Sequence, residues 1–172
     1  MSKRDLKKYL FDLNKEQLEE QIMELYDKFK EVKIYYDFAF NPNETKLIKE
    51  AKIKVTNEYY PIKGKKAKMR RSIAQKFIKH FVSLGMDAYL IADLMLYTIE
   101  IAQSYSSEKE IKQEAFYKSM LTSFQQTIHF MNEKGIISEF KSRVEAVYEN
   151  TVSQKWFNNY EFQILLEKLD YL

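Results

Sequence analysis

The chain has no cysteine, which removes disulfides, thiolate nucleophiles, cysteine zinc sites and iron–sulfur clusters in one step. Only three Gly and two Pro occur in 172 residues. That is too few for the turns of an all-β fold, so long helices are expected. Histidine is nearly missing as well. His80 and His129 lack the Glu-x-x-His spacing that sets two ligands on one helical face, and His129 with Glu133 or Asp93 with Glu100 make only isolated helical pairs. There is no Gly-x-Ser-x-Gly elbow and no spare base for a hydroxyl nucleophile. Gly64-Lys65-Lys66 lacks the earlier Gly and the Ser or Thr of a phosphate loop. No catalytic residue, metal or cofactor is therefore expected.

Long apolar runs are also absent. The richest, from Tyr89 to Ala102, is shorter than the roughly 20 residues of a membrane span and contains Asp93 and Glu100. The opening MSKRDLKKYL has neither the apolar core nor the small-residue cleavage site of a secretory signal. A cytoplasmic protein that does not enter a membrane is the expectation.

What is present is helical. Hydrophobic residues make up 45% and charged residues 31% of the chain, and the 13 Tyr and 12 Phe suggest a core built from rings as much as from Leu and Ile. From Gly85 to Gln103 nearly every side chain is apolar, so this stretch reads as a helix buried on nearly every side, with Gly85 closing the helix before it and Asp87 as its N-cap. Further helices are expected from Ser2, from Asn14 with Gln17 in capping-box register, from Glu44 to Tyr60, from Lys68 to Leu84, from Ser107 with Glu110, from Ser138, and from Asn158 through Leu169. The fold expectation is all-α, with six or seven helices packed as antiparallel pairs around a central apolar helix at about 87–104. They would form a single domain over 1–172, or a helical subregion at 1–60 packed on a core at 67–170.

Leu18, Ile22, Leu25, Phe29, Val32 and Tyr36 are spaced 4-3-4-3-4, an a/d stripe that is more often the core face of a bundle helix than a coiled-coil contact. Charge is uneven. No acid lies between Glu58 and Asp87, whereas Lys63, Lys65, Lys66, Lys68, Arg70, Arg71, Lys76 and Lys79 lie in that interval, so a net charge of +3 divides into +8 there and −5 elsewhere. Helix N-termini favour acids, so cations gathered at a helix start make an anion partner chemically sensible. Lys63, Lys65, Lys66, Lys68, Arg71, Lys76 and Lys79 are the anion-binding candidates, with a solvated face as the alternative. Arg70 projects toward the apolar side of the same helix, and a buried ion pair with Asp93 or Glu100 is expected.

MSKRDLKKYLFDLNKEQLEEQI, VKIYYDFAFNP and RRSIAQKFIKHF followed by IADLMLYTIEIAQ together resemble an uncharacterised family of small bacterial proteins, classed as a domain of unknown function, over most of the chain to about Phe157. The resemblance implies a bacterial, cytoplasmic, mostly helical protein and supplies no activity, cofactor or site residue. Two functions remain: a non-enzymatic helical module that binds another protein or itself, and a binder of nucleic acid or another polyanion through residues 63–79. An enzyme would need Arg70, His80, Asp93 and Glu100 to converge.

Overall fold

The computed structural model describes residues 2–62, 64 and 66–168, and every regular element among them is an α-helix. Nine helices lie among the described residues rather than six or seven. The chain divides into two compact units, Met1–Asn43 and Glu44–Leu172.

The first unit holds α1 (Lys3–Phe11), α2 (Lys15–Lys28) and α3 (Lys30–Phe40). Ser2 and Asp5 cap α1 reciprocally, and Asn14 and Gln17 do the same for α2, with Gln17 N donating to Asn14 Oδ1 at 2.8 Å. The 4-3-4-3-4 stripe does not run along one helix, because Phe29 is extended (φ −120°, ψ 114°) and separates α2 from α3. Two local causes meet there. The sequence beyond Phe29 is rich in aromatic and β-branched residues, which lose rotamer freedom in a helix. Breaking also lets α3 pack against α2: the Tyr26 hydroxyl donates to Asp37 at 3.0 Å, and Lys33 lies 5.6 Å from the centre of the Tyr26 ring. Pro42 ends α3, since the residue before a proline is driven out of the helical region and Asn41 sits at φ −136°, ψ 66°.

The second unit holds α4 (Glu44–Tyr59), α5 (Arg71–Leu84), α6 (Ala88–Glu108), α7 (Glu114–Lys134), α8 (Ile137–Ser153) and α9 (Asn159–Glu167). The packing is not a set of separate pairs, because α6 touches α4, α5, α7 and α8. A helix apolar all round needs neighbours all round, and nine residues of α6 are buried, among them Ile91, Leu94, Met95, Leu96 and Ile99. Gly85 closes α5 at φ 70°, the left-handed region where glycine carries no Cβ penalty. Met86 N then donates back to Phe81 O at 3.1 Å, and Asp87 caps α6 by accepting from Leu90 N at 3.1 Å.

The cap expected at Ser107 and Glu110 is not used. The hydroxyls of Ser104, Ser106 and Ser107 instead donate to carbonyls one turn back, an alternative open to short hydroxyl side chains inside a helix, and α6 continues to Glu108. Asn158 likewise makes no side-chain cap to α9. It is 1% exposed, and its Nδ2 donates to Tyr117 O at 3.2 Å. Rings close the far side of the core, with Trp156 stacked edge-on against Phe116, Tyr117 and Phe162. Leu169, expected in the last helix, lies outside the described residues.

Candidate functional site

The basic segment is organised by Glu58, the penultimate residue of α4. Its backbone carbonyl accepts from Lys68 N at 2.9 Å and Met69 N at 3.0 Å. Met69 is left-handed at φ 50°, which turns the chain so that Arg70 points back to α4. There its Nε and Nη2 each donate to the Glu58 carboxylate at 2.8 Å. The hydrogen bonds from Arg70 outweigh burial and hold the Glu58 carboxyl below its ordinary value. The helix expected from Lys68 therefore begins only at Arg71. The expected pairing of Arg70 with Asp93 or Glu100 does not form, because Arg70 stands at the N-cap and not on the helix face assumed for it.

Arg71 reaches α7, donating from Nε to Ser123 Oγ at 2.7 Å and from Nη2 to Gln126 Oε1 at 2.6 Å. Of the remaining anion-binding candidates, Lys66, Lys68, Lys76 and Lys79 are exposed, and Lys66, Lys76 and Lys79 have no ion-pair partner among the described residues. Lys63 and Lys65 lie outside the described residues.

Beside this segment a cleft of about 690 Å³ is lined by Tyr59, Tyr60, Pro61, Lys66, Ala67, Tyr105, Glu108 and Lys109. The Tyr105 ring lies 5.9 Å from that of Tyr59 and 5.6 Å from that of Tyr60, centre to centre. The Tyr60 hydroxyl donates to Glu108 at 3.1 Å, and the Lys109 ammonium is 5.9 Å from the Tyr105 ring centre. Tyr59 is 2% exposed, and its hydroxyl has no hydrogen-bond partner among the described residues. Burial raises its pKa, so it stays a neutral donor and acceptor at any physiological pH. Desolvating such a hydroxyl without a partner costs about 1–3 kcal/mol.

A second polar constellation bridges α4, α6 and α8. Arg143 donates from Nε and Nη2 to Glu100 at 2.7 and 2.8 Å and from Nη1 to Asp93 at 2.8 Å, and Lys52 pairs with Asp93 at 2.6 Å. Partial burial pushes the Asp93 carboxyl up, but its two cations win and hold it below its ordinary value. Glu100 holds Arg143 more firmly protonated still. Lys52 also lies 4.8 Å from the centre of the Tyr97 ring, at the edge of a groove of about 460 Å³ between α4 and α6. Every charge here has an opposite neighbour, as the partial burial of charged groups requires.

The convergence an enzyme would require is not assembled. Arg70 is held by Glu58, His80 is exposed on α5, and the two carboxylates are held by Arg143 and Lys52. His129 and Glu133 form an exposed pair on α7 at 3.4 Å, and no cluster of three metal-ligating side chains occurs among the described residues. Nor is any helix among them long and apolar enough to cross a membrane.

Sequence reasoning singled out the lysines as candidates. It missed Glu58, Lys52, Arg143, Tyr105, Glu108 and Lys109. Glu58 carries one signal, as the last acid before the acid-free interval. The others come from helices distant in sequence. Residues 1–170 match the model of a family described as a family of unknown function (DUF6155), and the chain belongs to it. No curated protein and no solved structure matches.

Proposed function

We propose, for a member of a family without an assigned function, that this chain is a non-enzymatic helical interaction module and that two copies associate through residues 2–43. One observation carries the reading: no residue from Ser2 to Asn43 is buried, although this stretch presents Leu6, Leu10, Phe11, Ile22, Met23, Leu25, Phe29, Tyr35 and Phe40. Phe11 and Phe40 are 88% and 78% exposed. Apolar area left in water forfeits about 25 cal/mol per Å², and contiguous patches of it mark interaction surfaces.

Charge complementarity selects a second copy as the occupant. α1 carries Lys3, Arg4, Lys7 and Lys8 against Asp5, a net +3, while α2 carries Glu16, Glu19, Glu20, Glu24 and Asp27 against Lys15 and Lys28, a net −3. A twofold arrangement brings each surface to its opposite twice. Sedimentation equilibrium tests this. The mass should rise from 20.7 kDa toward twice that value with concentration, and Ile22→Lys with Leu25→Lys should abolish the rise. A wild-type chain that stays monomeric at the highest concentration reached sinks the proposal.

A second reading, polyanion binding through residues 63–79, is favoured by the unpaired Lys66, Lys76 and Lys79. It requires an affinity that falls steeply with salt and is lost in Lys76→Glu with Lys79→Glu.

A further inference from the structure

We infer, resting on the self-association proposed above, that the contact is an aromatic knob in a hole: Phe11 of each copy enters the pocket between α2 and α3 of the other. That pocket, of about 360 Å³, is lined by Ile22, Met23, Tyr26, Tyr36, Asp37 and Phe40. The Tyr36 and Phe40 rings stack there with centres 6.2 Å apart, and Met23 is exposed. Ring faces and a thioether are surroundings in which another aromatic ring packs well.

Charge selects Phe11 as the occupant. It follows Arg4 by seven residues, Lys7 by four and Lys8 by three, so the four share one face of α1, with Asp12 as the acid beside them. The opposite face, with Leu6, Tyr9 and Leu10, turns toward α2, where Gln21 Nε2 donates to the Tyr9 hydroxyl. Phe11 therefore stands outward within a collar of cations. The hole has the reverse charge. Asp37 lines it, and Glu19 and Asp27 stand one helical turn before and after Met23. Lys15, which pairs with Glu19 at 3.5 Å, and Lys33, over the Tyr26 ring, offset part of this charge and leave the acids in excess. Cationic collar on acidic rim is attractive, whereas knob on knob and rim on rim repel.

Knob and hole belong to different copies. Phe11 does not line the pocket of its own chain. Every residue of α1 is exposed, and a helix of nine residues is shorter than the roughly 12–15 that hold a helix unaided, so α1 gains from a second surface. A twofold axis perpendicular to α2 sets the two copies of α2 antiparallel. The pocket of one copy then lies beside the α1–α2 turn of the other, where Phe11 stands.

Sedimentation equilibrium on the full chain and its variants tests this. Phe11→Ala should weaken the dimer on the order of a hundredfold, because the twofold repeats the loss of one buried ring. Met23→Lys, which sets a cation in the hole, should weaken it to a similar extent. Both side chains are exposed, so the circular dichroism spectra should match that of the wild type. Mixed in equal amounts, the two variants can form a heterodimer with one intact knob and hole, and should associate about tenfold more tightly than either alone. A dimeric wild type with Phe11→Ala equally tight, or a mixture no tighter than its components, overturns the inference and leaves self-association standing. A monomeric wild type overturns both. A monomeric wild type that floats with phosphatidylglycerol vesicles, when Phe11→Ala does not, assigns Phe11 to a lipid surface in place of the hole.

Discussion

Arg143→Met removes the guanidinium that joins α8 to α6 while keeping most of the packed stem. Three hydrogen bonds of 2.7–2.8 Å are lost. Asp93 keeps Lys52, so the carboxylate left without a cation is Glu100. Exposed ion pairs contribute about 0–1 kcal/mol, whereas breaking a fully buried one costs about 3–5 kcal/mol. The Arg143 and Glu100 side chains are 36% and 33% exposed, so solvent screening places the expected loss between those limits, at about 1.5–2.5 kcal/mol. For a chain of this size that is about 3–10 °C in Tm. Trp156, the single tryptophan and 2% exposed, reports urea unfolding of the second unit by fluorescence. Glu100→Gln made in the Arg143→Met background should cost much less than in the wild type, because the pair couples.

The pH dependence has a definite sign. Asp93 has a folded pKa below its ordinary 3.8, so its contribution is fully present above that value and is lost as pH falls through the lower folded one. Removing one of its two cations moves the folded value back up. The deficit of Arg143→Met relative to wild type should therefore shrink below about pH 4. A loss under about 0.5 kcal/mol at neutral pH, or equal costs of Glu100→Gln in both backgrounds, would refute this view of the cluster.

Two further outcomes follow from the same geometry. Glu58→Gln removes the anion that receives Arg70 and loosens the turn at Met69, so trypsin should cut after Lys66, Lys68 or Arg70 several-fold faster than in the wild type; an unchanged cleavage rate would mean that the segment is held by something else. Gly85→Ala meets no atom within 4 Å, so only the left-handed backbone opposes it. It should cost about 1 kcal/mol by urea denaturation, and a neutral result would show that the α5–α6 turn relaxes freely.

Local chemistry was readable from the sequence. Asn14 with Gln17, Gly85 and Asp87 act within four residues of themselves, and each occupies the helix end its residue type favours. The apolar stretch around Met95 also announced its burial, since a helix without a polar face has no other stable place. Partner choice was not readable. Arg70 and Arg143 are both arginines beside apolar residues, and nothing local says that one would answer Glu58 and the other Glu100, 43 residues away. The deciding event is the left-handed Met69, which takes Arg70 off its helix. The break at Phe29 was hidden for a related reason: the a/d spacing is continuous across it, and the packing of α3 against α2, which adds to the rotamer cost of the residues beyond Phe29, has no local signature. The tyrosine cleft needed Tyr105, 45 positions beyond Tyr60 in sequence, to become visible.

Self-association is tested most directly by joining two copies. In the cysteine-free chain, one preparation carries Lys7→Cys on α1 and an isotopically heavy second one carries Glu20→Cys on α2, and the mixture is treated with a short bis-maleimide. Association through residues 2–43 predicts a mixed covalent dimer containing one light and one heavy chain, formed in higher yield than when Lys79→Cys replaces Glu20→Cys and suppressed by adding Ile22→Lys with Leu25→Lys. A mixed dimer no more abundant than in the Lys79→Cys control would contradict it.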